Sequence, residues 1–168
     1  MTFSDLYITD KRNLKVEILP SDMIGEHKNI VEADDRLITV FRPIDSPFVA
    51  ERLAREFANE FKDRRIYDRQ NTEDALRSTI NAFHFSFLNP PADLNLRPES
   101  GAMVLVVHVD SHGNITIANC GSITLKEKID GRFEAVITPS NYFIGHPGHP
   151  FDSGTESFSQ IIHLTNGK

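Results

Sequence analysis

One cysteine, Cys120, stands in the whole chain, so no internal disulfide can form, and a reducing compartment, cytoplasmic or nuclear, is expected. Positive charge is also scarce: 18 Lys and Arg against 24 Asp and Glu leave a net charge of −6. No basic stripe with interleaved aromatics is present. Nothing would drive counterion release on DNA or RNA, and a nucleic-acid partner is not expected. Long apolar runs are missing too, since AMVLVV falls far below the about 18–20 residues of a membrane span. The opening residues, MTFSDLYITDKR, contain no apolar segment behind a basic start, so neither secretion nor a membrane partner is signalled.

What remains is 168 residues, 39% hydrophobic and 25% charged, the makeup of one globular domain over 1–168. LYI (6–8), LKVEIL (14–19) and KNIVEA (28–33) are short strand candidates, punctuated by Pro20 and Gly25. RLITVF (36–41) is a stronger one, apolar and β-branched. Ser46-Pro47 then opens a helix, the serine as cap and the proline in the first turn. Val49, Ala50, Leu53, Ala54, Phe57, Ala58 and Phe61 follow at helical spacing and predict one core-facing stripe.

Asn71 or Thr72 caps a second helix whose stripe runs Leu76, Ile80, Phe83, Phe87 and which stops before Asn89-Pro90-Pro91. AMVLVVHV (102–109) is apolar on both faces, as a strand between two packed layers should be. DSHGN (110–114) turns it into ITIAN (115–119), and Asp130-Gly131 joins ITLKEKI (123–129) to RFEAVIT (132–138) as a hairpin. Residues 139–154 read as loop, and TESFSQIIHL (155–164) as a short helix or strand. Strands, two helices, then a meander of strands define an α+β protein with layered, antiparallel sheets.

Four of these pieces resemble, in order, segments of the metal-dependent protein phosphatase 2C family. ITVFRPIDSPFVAERLAREF is similar to that family's VFDGHGG strand and following helix, and ALRSTINAFHFSFLN to its second helix. SGAMVLVVHVDSHGNITIANCGS resembles its SGSTA…LYVANVGDS hairpin, and DGRFEAVITPSN the strand that ends in LTxDH. The match covers about residues 36–141, with no counterpart of the family's later segments before Lys168. The resemblance implies an α-β-β-α sandwich, truncated relative to the family, with two main helices on one face. It also implies a chemistry to test: hydrolysis of phosphoserine or phosphothreonine by water held between two Mg²⁺ or Mn²⁺ ions. Such ions require anionic oxygen ligands.

The ligands are replaced. Arg42 falls where the resemblance puts the metal-bridging Asp, Ile44 where it puts the histidine, and Pro43, Asp45 and Ser46 where it puts the loop glycines. Ser122 stands for the Asp of GDS, and Ser140-Asn141 for Asp-His. Arg42, Asp45 and Ser122 thus mark a degenerate metal position, with no catalytic residue and no metal cofactor expected. The pattern resembles an inactive member of the family, the adaptor that binds the TAK kinase, whose SGGAMAVVAV-like hairpin is similar to SGAMVLVVHV. This implies a pseudophosphatase that works as a scaffold in signalling, with a protein partner such as a kinase.

The candidate contact residues are Phe85, which falls off the second helix's stripe, Arg42, and the tail aromatics Tyr142, Phe143 and Phe151. Arg42 could grip a phosphate or an acidic partner, or make a surface salt bridge. An alternative is a metal-dependent phosphatase or other hydrolase whose centre has moved to Asp45, Asp110, Asp130 or the tail histidines. His146 and His149, with Asp152 and then His163, have a zinc-like spacing but lie in a Gly/Pro loop, which favours solvated side chains. A further alternative is a structural subunit that forms a homodimer through a sheet edge. His84 reads as a boundary residue, His108 as a partly buried strand residue with a hydrogen-bond partner, His112 as a turn tip, and Cys120 as a structural thiol.

Overall fold

A computed structural model describes residues 5–8, 16–19, 25–28, 35–44, 50–88, 101–121, 123–135, 143–145 and 160–164. The elements are β1 (Asp5–Ile8), β2 (Val16–Leu19), β3 (Gly25–Lys28), β4 (Arg36–Ile44), α1 (Ala50–Ile66), α2 (Thr72–Leu88), β5 (Gly101–Val109), β6 (Ile115–Cys120), β7 (Thr124–Ile129), β8 (Arg132–Ala135) and β9 (Gln160–Leu164). Five strands form one sheet in the order β3-β4-β5-β6-β9, antiparallel throughout. Four form a second, β2-β1-β7-β8, in which only the β1–β7 pair is parallel.

Period-two alternation along the central strands builds two cores, one on each face of the five-stranded sheet. Leu37, Phe41, Val104, Val106, Ala118 and Cys120 pack against the helices. Ile38, Val40, Leu105, Val107, Ile115 and Ile117 point the other way, where they meet Leu125 of the second sheet and Ile123 just before it. This is why LITVF and AMVLVV carry apolar residues without a break. The layers are helices, sheet, sheet, an α+β architecture.

Both helices lie on their amphipathic stripes. α1 buries Ala50, Leu53, Ala54, Phe57, Ala58 and Phe61, while Glu51, Arg52, Arg55, Glu56 and Glu60 stay exposed. In α2, Ala75, Leu76, Thr79, Ile80 and His84 are buried, with Phe83 and Phe87 partly so. Asn71 is the cap: its Oδ1 accepts the Asp74 N–H at 2.8 Å. Rings of Phe41, Phe57 and Phe83 meet with centroids 5.4–5.8 Å apart and pin both helices to β4.

Several boundaries differ from the pattern reading. β4 runs on through Arg42, Pro43 and Ile44 instead of ending at Phe41. Proline is tolerated there because Ala102, opposite Pro43, turns both its N–H and its C=O away from β4, to Ile144. Pro43 therefore occupies a position whose N–H would not join the β4–β5 ladder. Gly25 opens β3 rather than breaking a strand, and pairs with Thr39. Of the stretch 155–164, Gln160–Leu164 is strand and pairs along β6; residues 155–159 lie outside the described residues, as do Ser46-Pro47 and most of KNIVEA. At the β7–β8 turn Asp130 and Gly131 both have positive φ (50° and 79°), the geometry expected for Asp-Gly.

Candidate functional site

Arg42 lies on β4 one alternation beyond Ile38 and Val40, so its side of the strand faces the second sheet. Its cross-strand partner is Met103, which packs on the inter-sheet core. Met103 in turn lies beside Gly121, just past the Val104–Cys120 pair. A Cβ on Gly121 would come within 2.7 Å of the Met103 side chain, and its φ of 129° lies in the range that favours glycine, so only glycine fits there. One end of the five-stranded sheet thus carries Arg42, Met103 and Gly121 in a row. Asp45 and Ser122, the other two positions that the resemblance singles out, lie outside the described residues.

This row does not fit a pair of hard dications. It offers a guanidinium, which carries only donors, a soft thioether, and a glycine without a side chain. Among the described residues, no group of three or more His, Cys, Asp or Glu side chains converges so as to hold a metal ion. Asp110, one candidate for a relocated centre, is tied into its own turn. Its Oδ1 accepts the N–H groups of His112 and Asn114 at 2.9 Å each, and Oδ2 accepts the Asn114 amide at 3.2 Å. Burial pushes this carboxyl up, but the hydrogen bonds from Asn114 and His112 outweigh it and hold it below the ordinary value. Asp130 is exposed at the β7–β8 turn, in the other sheet.

The opposite end of the sheet holds two polar ties: the one expected at His108, whose partner the sequence did not identify, and one at His163. His108 Nε2 donates to Asp35 Oδ2 at 3.2 Å, and both side chains are buried. Phe61 of α1 stacks at a tilt on the imidazole, with centroids 5.5 Å apart. Burial is the main cause that lowers the His108 pKa, partly offset by the Asp35 contact. Asp35 sits in the run ADDR, and nothing local points to a partner 73 residues away.

His163 forms the second tie. From β9 its Nε2 donates to Glu73 Oε2 at 3.0 Å, and Nδ1 lies 3.3 Å from Thr116 Oγ1. Glu73 also accepts from Arg77 at 3.0 Å, and its carboxyl is held below the ordinary value, by His163 first and Arg77 second. The sequence of hydroxyl, imidazole and carboxyl has the connectivity of a hydrolytic relay. Thr116 is buried, however, so no substrate carbonyl can approach it, and the chain serves to tie β9 to β6 and α2. His146, His149 and Asp152, grouped with His163 by spacing, lie outside the described residues.

His84 differs from its boundary reading: it is fully buried, and its Nδ1 accepts the Gly145 N–H at 2.8 Å. Cys120 is buried, and burial pushes its thiol far above the ordinary value, the behaviour of a structural thiol. His112 is exposed on its turn. Phe85 is half-exposed on α2, and Ile66 and Tyr67 are exposed at the end of α1. Phe143 is partly buried, its ring beside Gly101, while Tyr142 and Phe151 lie outside the described residues.

Neither a protein-family profile nor a curated protein matches the chain by sequence. Solved structures do match by fold. A bacterial serine phosphatase variant superposes with a TM-score of 0.59 at 14% identity, over 86% of this chain and 64% of that one. The serine/threonine phosphatase of S. agalactiae gives 0.57 at 10% identity, over 87% and 69%. Serine/threonine phosphatase Stp1 from Staphylococcus aureus gives 0.56 at 13%, over 84% and 64%. The chain therefore has a phosphatase-2C-like fold and spans less than two thirds of the length of the first of these enzymes.

Proposed function

We propose that the protein is a pseudophosphatase: a phosphatase-2C-like domain without metal-dependent turnover that acts by binding another protein in signalling. The observation that carries this reading is Arg42, a fixed cation on the inter-sheet face of β4 where the fold's chemistry calls for a bridging carboxylate. A unit positive charge about 4 Å from a dication costs on the order of 8 kcal/mol at an effective dielectric near 20, and two ions double the problem. Support for the binding role comes from the half-exposed Phe85 on α2, an aromatic of the kind enriched at interface centres. A partner such as a kinase or another signalling protein fits the same reading.

A relocated metal centre has less support, because Asp110 spends both carboxyl oxygens on its own turn. Turnover of a phosphoserine peptide in Mn²⁺ is the test. The wild-type chain should give no hydrolysis above buffer, while affinity capture beside an Arg42→Asp variant should recover a protein partner. Hydrolysis that depends on Mn²⁺ would falsify the proposal.

A further inference from the structure

Strand β5 is longer than its neighbour. The β5–β6 ladder ends at the Val104–Cys120 pair, which leaves the edge of Gly101 and Ala102 to be covered by something else. Ile144 covers it, with Ala102 N–H donating to Ile144 O at 3.0 Å and Ile144 N–H to Ala102 O at 2.8 Å. The fit is close: a Cβ on Gly101 would collide with Ile144 O and come within 2.6 Å of the Phe143 ring. The remaining tie comes from the helix layer, where Gly145 N–H donates to Nδ1 of the fully buried His84. A ring that accepts at Nδ1 carries its proton on Nε2 and is neutral. A second proton would place a donor against a donor at Nδ1.

We propose that His84 is a proton-operated latch: neutral, it holds Phe143–Gly145 on β5, and protonated, it releases that segment and uncovers the β5 edge at the Arg42 end of the sheet. Among the described residues, the following side chains lie on the elements around it. Around His84, α2 runs Ala82-Phe83-His84-Phe85-Ser86, without a charge. The helix-facing residues of β5 and β6 nearby are Ala102, Val104, Ala118 and Cys120, the last a protonated thiol. On α1 the charged residues Glu51, Arg52, Arg55, Glu56 and Glu60 lie on the exposed side. If only the open state takes the proton, with an ordinary imidazole affinity, the open-to-closed ratio rises about tenfold from about pH 7.5 to about pH 5.5.

Amide hydrogen exchange, corrected for intrinsic rates, reads this directly. Protection at Gly145, Ile144 and Ala102 should fall together by about tenfold over that range, while Val106 in the β5–β6 ladder keeps its protection. In His84→Asn, whose Oδ1 supplies an acceptor that does not titrate, the segment should stay protected at both pH values. Unchanged protection of Gly145 in the wild type overturns the latch. So does a His84→Asn protein with the wild-type pH response, which would assign the proton to another group such as His146 or His149. Should that variant fail to fold, the ring ¹⁵N signals of wild-type His84 decide. An unprotonated Nδ1 at neutral pH that titrates in step with the Gly145 amide supports the latch, and a protonated Nδ1 at neutral pH rules it out.

Discussion

Arg42 and His108 are separated by most of the length of the central sheet, and each is defined by which face of its strand it occupies. Arg42 faces the second sheet, His108 the helices, where Asp35 and Phe61 enclose it. The lowered His108 pKa fixes a pH dependence. The folded protein refuses a proton that the unfolded chain accepts near the ordinary value of about 6.5. Its stabilising effect is therefore complete above about pH 6.5 and is lost as pH falls through that value toward the depressed one, at up to about 1.4 kcal/mol per pH unit. Urea unfolding of His108→Gln, which keeps a donor for Asp35 without titrating, should show a shallower acid limb than the wild type. Identical limbs would remove His108 from the account. Asp35 was invisible in the sequence for a physical reason: one acid of the pair in ADDR has no periodic signature, and its partner is fixed only by tertiary register.

At the scale of elements, helices α1 and α2 and strands β4 and β5 were legible because long periodic stripes leave little choice about which face is buried. The Phe41, Phe57 and Phe83 cluster carries that packing. Phe57→Ala should destabilise the fold by about 3–5 kcal/mol in chemical denaturation, the range for removing a buried aromatic ring. Loss of only a few tenths would mean that the helices are held by something else. The Asn71 cap is a smaller effect: Asn71→Ala should cost about 1 kcal/mol, and Asn71→Asp should restore most of it. Short elements were harder to read. QIIHL suits a strand or a helix turn equally until β6 offers it a ladder, and Gly25 looks like a breaker until Thr39 pairs with it. The extension of β4 through Pro43 depended on which way Ala102 turns its N–H, a fact that only register supplies.

For the described residues as a whole, two sheets share one core and two helices cover the outer face of the larger sheet, a fold that superposes on the bacterial phosphatases with TM-scores of 0.56–0.59. Among the described residues no helix is long and apolar enough to cross a membrane. The class of fold was legible because four weak segment patterns occur in the family's order. Arg42 lies inside β4 rather than in a loop after it, whereas Asp45 and Ser122 lie outside the described residues. The central proposal, that the Arg42 guanidinium keeps paired divalent cations off this end of the sheet, is tested most directly by isothermal titration of the purified chain with Mn²⁺. The account predicts no saturable heat of two-ion binding; a tight isotherm with two Mn²⁺ per chain would contradict it.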